Sequence, residues 1–101
     1  MSIEQQDGRK VVIVLMKTPE GDATLTAVRA DCPELEIRDF NTYYEIVGLD
    51  EISIDLDRVA EELGEPIVMG QWLVNMASYI GRVDSDDRHF RVTAEMLQLG
   101  L

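Results

Sequence analysis

Between positions 67 and 81 the chain reads IVMGQWLVNMASYIG, without one charged side chain, although Asp, Glu, Lys and Arg make up 29% of the whole. A neutral run of this length in so charged a chain has to be packed against something, because neutral groups leave water at far lower cost than ions do. Met69, Leu73, Met76 and Ile80 recur at steps of four, three and four. That is the spacing of one apolar helix face, and it predicts a helix from about 68 to 81. Gln71, Asn75 and Ser78, continued by Arg82, form a second stripe at the same steps, polar but neutral until Arg82. Two readings stand open on this pattern. In one the helix is buried, with Trp72 and Tyr79 as core aromatics. In the other it packs on its own core with one stripe and meets a partner protein with the second, since interface cores are depleted of charge. A membrane span is excluded by length, as about 20 apolar residues are needed.

The rest of the chain is acidic. The net charge is −11, and positions 31–65 hold twelve acids against Arg38 and Arg58. Such a chain is unsuited to phosphate backbones or anionic lipid, both of which call for Lys and Arg. Nucleic acid and membrane are therefore not expected partners. The acidic stretch reads as a solubilising surface, or as a field that steers the molecule toward a basic docking site. The single cysteine, Cys32, rules out an internal disulfide. No signal-peptide pattern precedes or follows the short apolar run at 11–16, so a cytoplasmic location is expected.

Read in order, the chain predicts one small α+β domain at 10–101, preceded by a flexible lead at 1–9. KVVIVLM at 10–16 is a β-branched run, a strand buried on both faces. Thr18 and Pro19 open a helix to about Asp31, which Pro33 stops. Strands follow at 34–39, 43–47 and 51–55. Asp55 or Asp57 caps a short helix that ends at Gly64. Then come the neutral helix, an acidic turn at 84–87 and a last strand at 89–95. An apolar tail closes the chain at 96–101. The expected layout is βαββ followed by βααββ, two similar halves packed on one another.

The residues offer little for catalysis. Only one histidine is present, His89, beside Asp87 at a strand start. A surface or turn role suits it better than that of a base. Cys32 has no histidine near it in sequence and reads as a small buried hydrophobe. Asp84, Asp86 and Glu95 fall on calcium-loop positions, but His89 stands where the loop requires glycine, so no metal site is expected. One histidine and one cysteine supply neither the paired Glu-x-x-His ligands of a di-iron site nor the thiolates of an iron–sulfur cluster. No cofactor is expected, and the chain reads as a protein that is not an enzyme by itself.

The stretch LGEPIVMGQWLVNMASYIGRVDSDDRHFRVTAEM resembles the effector, or coupling, proteins of soluble multicomponent di-iron monooxygenases, which serve enzymes oxidising methane, alkenes, phenol or toluene. The family's Leu-Gly and Asn-x-x-Ser-x-x-Gly are matched by Leu63-Gly64 and by Asn75, Ser78 and Gly81. KVVIVLMK and FNTYYEIVGLDEISIDLDRVAEELG resemble its first strand, its aromatic strand and the capped helix. The resemblance runs over about residues 10 to 99. It implies a cofactorless protein, monomeric when free, that docks on the hydroxylase component above the di-iron site. It further implies control of oxygen and substrate access, coupling of NADH use to hydroxylation or epoxidation, and competition with the reductase or ferredoxin component. The segment Asn75, Met76, Ala77, Ser78 and Tyr79, flanked by Gln71 and Arg82, is then the partner-binding site. The alternative from the residues is a small-ligand-sensing or homodimerising α+β module that buries its apolar tail in a self-interface.

Overall fold

Two antiparallel sheets and three helices enclose a single apolar core in the computed structural model, which describes residues 9–94. The expected lead at 1–9, apart from Arg9, and the tail at 96–101 lie outside the described residues. Strand β1 (Lys10–Met16) and helix α1 (Pro19–Asp31) come first. They are followed by β2 (Glu36–Asp39), β3 (Tyr43–Leu49) and β4 (Glu51–Asp55). Helices α2 (Leu56–Leu63) and α3 (Met69–Leu73) precede β5 (Met76–Ile80), β6 (Arg82–Ser85) and β7 (His89–Thr93). The α+β expectation holds. The second half, however, runs βααβββ, with four strands rather than the expected three.

Local chemistry accounts for most of these boundaries. The Thr18 hydroxyl accepts the Gly21 N–H at 3.0 Å, and Pro19 occupies the first helical turn of α1, where a missing N–H costs nothing. Asp55 caps α2 by accepting the Asp57 N–H at 2.9 Å, and Gly64 closes it with a φ of 86°. Ile52 and Ile54 on β4 alternate with more exposed neighbours, as do Phe90 and Val92 on β7. All four join Val11, Ile13, Leu15 and Ile46 from the first sheet in the core, covered by Leu25 and Val28 of α1 and by Leu56 and Val59 of α2.

The helix expected over 68–81 is where sequence and structure part. Only Met69–Leu73 is helical; after a turn at Val74 and Asn75 the chain becomes a strand. The strand runs antiparallel to β1, giving the sheet order β2-β3-β1-β5, while the other sheet runs β4-β7-β6. Hydrogen bonding explains the outcome. β1 is the most deeply buried strand, and a second edge left unpaired there would strand N–H and C=O groups away from water. β5 fills that edge. The two halves of the chain therefore exchange an element rather than merely packing, because a strand from the second half completes the sheet of the first.

Gly81 makes the crossing possible. It lies between β5 of one sheet and β6 of the other with φ at 134°, a conformation that L side chains rarely adopt. A Cβ there would sit 2.5 Å from Val92 Cγ1 and 2.8 Å from the Thr93 carbonyl oxygen.

Candidate functional site

The uncharged run folds as a bolt followed by an edge. Trp72 is the bolt. It is fully buried, its Nε1–H donates to the Thr24 hydroxyl at 2.9 Å, and its ring lies 5.0 Å from that of Phe90. The Thr24 hydroxyl in turn donates to the Glu20 carbonyl, so the indole is tied into the first turns of α1. On the surface above, the Gln71 amide donates to the Glu20 carboxylate at 3.3 Å. Of the two aromatics expected in the core, Trp72 is there. Tyr79 stands half in solvent at the sheet margin, edge-on to Phe90 at 6.4 Å.

Asn75 forms the corner. Its side-chain amide donates to the Gln71 carbonyl at 3.1 Å, its N–H donates to the Trp72 carbonyl, and its own carbonyl accepts the Met16 N–H at 2.8 Å. Only 7% of the residue is exposed. Gln71, Asn75, Ser78 and Arg82 thus do not form one helical stripe. Gln71 lies on α3, Asn75 is folded inward at the turn, Ser78 lies on β5, and Arg82 has crossed to β6 in the other sheet. Nor do Met69, Leu73, Met76 and Ile80 form a core-facing stripe: Met69 and Met76 are half-buried, whereas Leu73 and Ile80 face solvent. An arginine at position 75 would disrupt the corner before it tested any contact with a partner.

Beyond the corner, Met76, Ala77, Ser78 and Tyr79 are brought together on β5, an edge strand. Val14 pairs with Ser78 and Leu15 with Met76, which leaves Ala77 as a bulged residue without a partner on β1. Each other outer strand carries charge: Glu36, Arg38 and Asp39 on β2, Glu51 and Asp55 on β4, Arg82 and Asp84 on β6. Charge is the usual protection of a free edge; β5 has none. Large apolar side chains gather along it, with Val74 at 79% and Ile80 at 60% exposure, and Leu73 and Tyr79 also in solvent. Sequence reading missed Leu73 and Ile80 as surface residues because a helical spacing placed them on the core-facing stripe, and it gave Val74 no place.

The titratable groups are occupied with structure. The Asp86 carboxylate accepts the N–H groups of Arg88 and His89, which hold it below the usual carboxylate range, and lies 3.2 Å from His89 Nδ1. The histidine is therefore paired with Asp86 rather than Asp87, on an exposed turn. Asp84 is engaged by Arg91. Cys32 sits half-buried at the end of α1, beside a cavity of about 180 Å³ lined by Val28, Ile54 and Val59. Burial, with Glu34 and Asp31 nearby, pushes its thiol up. At pH 7.5 the thiolate is accordingly scarcer than in free cysteine, and iodoacetamide should alkylate Cys32 several-fold more slowly. A rate matching free cysteine would show this account to be wrong. Among the described residues no cluster of three or more His, Cys, Asp or Glu is arranged to hold a metal ion, and no helix is long and apolar enough to cross a membrane.

The fold and sequence recur among known proteins. The family model described as MmoB/DmpM matches residues 9–93. Methane monooxygenase regulatory protein B of Methylosinus trichosporium is 30% identical over 98 residues, spanning 92% of this chain and 71% of that protein. Its counterpart from Methylococcus capsulatus is 30% identical over 95 residues, spanning 88% of this chain and 67% of that protein. A chain in the solved structure of a phenol hydroxylase–regulatory protein complex superimposes with a TM-score of 0.76 at 27% identity, covering 84% of this chain and 98% of that one. With the family model matched over nearly all the described residues and the fold shared, the chain belongs to the MmoB/DmpM family.

Proposed function

We propose that this protein is the regulatory component of a bacterial multicomponent di-iron monooxygenase and docks on the hydroxylase component through the α3–β5 edge. The observation that carries the reading is the uncharged, partly apolar margin from Leu73 to Ile80 in a molecule of net charge −11. Ala77, Ser78 and Tyr79 supply contact surface. Gln71 and Arg82 flank it, Asn75 fixes the corner, and Met76 ties the strand to the core. Relatives named as regulatory proteins, and a phenol hydroxylase–regulatory protein complex of the same fold, support it.

The edge acts by selection. A bound protein shifts a conformational equilibrium only by the difference in its affinity for the two states. A rigid margin with a bulge at Ala77 distinguishes two groove shapes by packing. The state it prefers gains population, and substrate and oxygen access, with coupling of NADH use to product, follow that state. The acidic surface speeds encounter with a basic docking site. Sharing that site with the reductase or ferredoxin component would make the two compete. The reading places the protein in the cytoplasm, as a monomer when free.

Ser78→Arg tests the edge. Ser78 is exposed, so stability should change by no more than about 0.5 kcal/mol. Affinity for the purified hydroxylase should fall about tenfold or more, because a charge forced into a desolvated contact costs several kcal/mol. Circular dichroism and a titration measure the two quantities, and native affinity in the variant would refute the assignment. An unprotected edge is also a template for self-pairing. On the homodimer reading, Ser78→Arg would instead lower the sedimentation mass and leave turnover with the hydroxylase unchanged.

A further inference from the structure

Helix α3 is five residues long, and Val68 at its N-terminus supplies no side-chain cap. Its placement must be imposed from outside. Behind it, Trp72 and Asn75 fasten it to α1 and β1. In front of it, the connection from Gly64 is held by burial of the Ile67 side chain in the core and by one side chain from a distant part of the sequence. The Arg88 guanidinium donates through Nη1 to the Ile67 carbonyl at 2.8 Å, and through Nη2 and Nε to Asp57 Oδ1 at 2.8 and 3.1 Å. Its backbone carbonyl also accepts the Leu56 N–H at 2.8 Å.

We infer that Arg88 is a positioning residue for hydroxylase docking: by gripping the Ile67 carbonyl it fixes where α3 begins, and so sets the angle at which β5 presents its edge. This rests on the docking role proposed above. Arginine suits the task because its planar fork serves two acceptors at once, where lysine offers a point charge. Asp57 holds the guanidinium from one side, leaving Nη1 aimed at the loop.

The two bonds separate by mutation. Arg88→Gln removes both, whereas Asp57→Asn weakens the ion pair and leaves the Ile67 contact in place. Trp72 is the sole tryptophan, so its emission reports the placement of α3. Each variant is titrated against the hydroxylase component purified from the same cells, well below its melting temperature. Arg88→Gln should shift Trp72 emission and weaken binding about tenfold, the scale of one charge-assisted hydrogen bond. Arg88→Lys should recover part of that loss, and Asp57→Asn should stay within about twofold of native. Equal losses in Arg88→Gln and Asp57→Asn would overturn the inference, because general destabilisation would then explain both. Unchanged emission and affinity in Arg88→Gln would overturn it as well. Should Ser78→Arg also bind natively, the docking reading itself has failed; should only Ser78→Arg weaken binding, the docking reading stands and the role of Arg88 falls.

Discussion

Gly81→Ala should lose about 3 kcal/mol or more of folding free energy, measured as a lower denaturation midpoint with unchanged slope. Two costs combine. The backbone at φ 134° is outside what an alanine holds comfortably, a strain worth about 1–3 kcal/mol. The new methyl would also press on Val92 Cγ1 at 2.5 Å and on the Thr93 carbonyl oxygen at 2.8 Å. Neither neighbour has room to retreat: Val92 is fully buried, and Thr93 is paired with both Glu51 and Arg82. A small domain has about 5–15 kcal/mol in all, so a substantial unfolded fraction is expected near 40 °C. A midpoint within experimental error of the native one would contradict the described crossing between sheets.

Trp72→Ala should be of similar or larger effect, about 3–5 kcal/mol, as for other large buried aromatics cut to alanine. The indole fills the space between α1 and Phe90. The change also bears on function. Without the bond to Thr24, α3 loses its anchor on α1, and the main-chain carbonyl at position 72, which receives the Asn75 N–H, is no longer held in place. Docking should therefore weaken even under conditions where the variant is still folded. Trp72→Phe separates the contributions: it keeps ring packing, gives up the hydrogen bond, and should cost roughly 1–2 kcal/mol. Native stability in Trp72→Ala, measured by urea titration, would remove the indole from its place at the centre of the site.

Much of the frame was legible locally. Thr18 with Pro19, and Asp55 with Gly64, are caps whose chemistry acts within a turn, and the helices they announce are present. Alternation at Ile52 and Ile54 set the inward face of β4 for the same reason, since side-chain direction in a strand depends only on the neighbours. The importance of the uncharged run was also legible, as a deficit of ions is a property of composition. Its form was not. Met69, Leu73, Met76 and Ile80 fit a helix well, and short apolar segments do not declare their period by themselves.

By itself the sequence determined that this is an acidic α+β protein with capped helices, a buried first strand and a neutral segment too costly to leave unexplained. Tertiary structure alone decided that the neutral segment breaks at Asn75 and continues as β5. The physical reason is distant: β1 needed hydrogen-bond partners on its second edge, and Trp72, held by Thr24 some fifty residues earlier, delivered residues 76–80 to that edge. No local pattern encodes a demand that arises sixty residues away, and it is that demand which turned a helical stripe into an exposed strand.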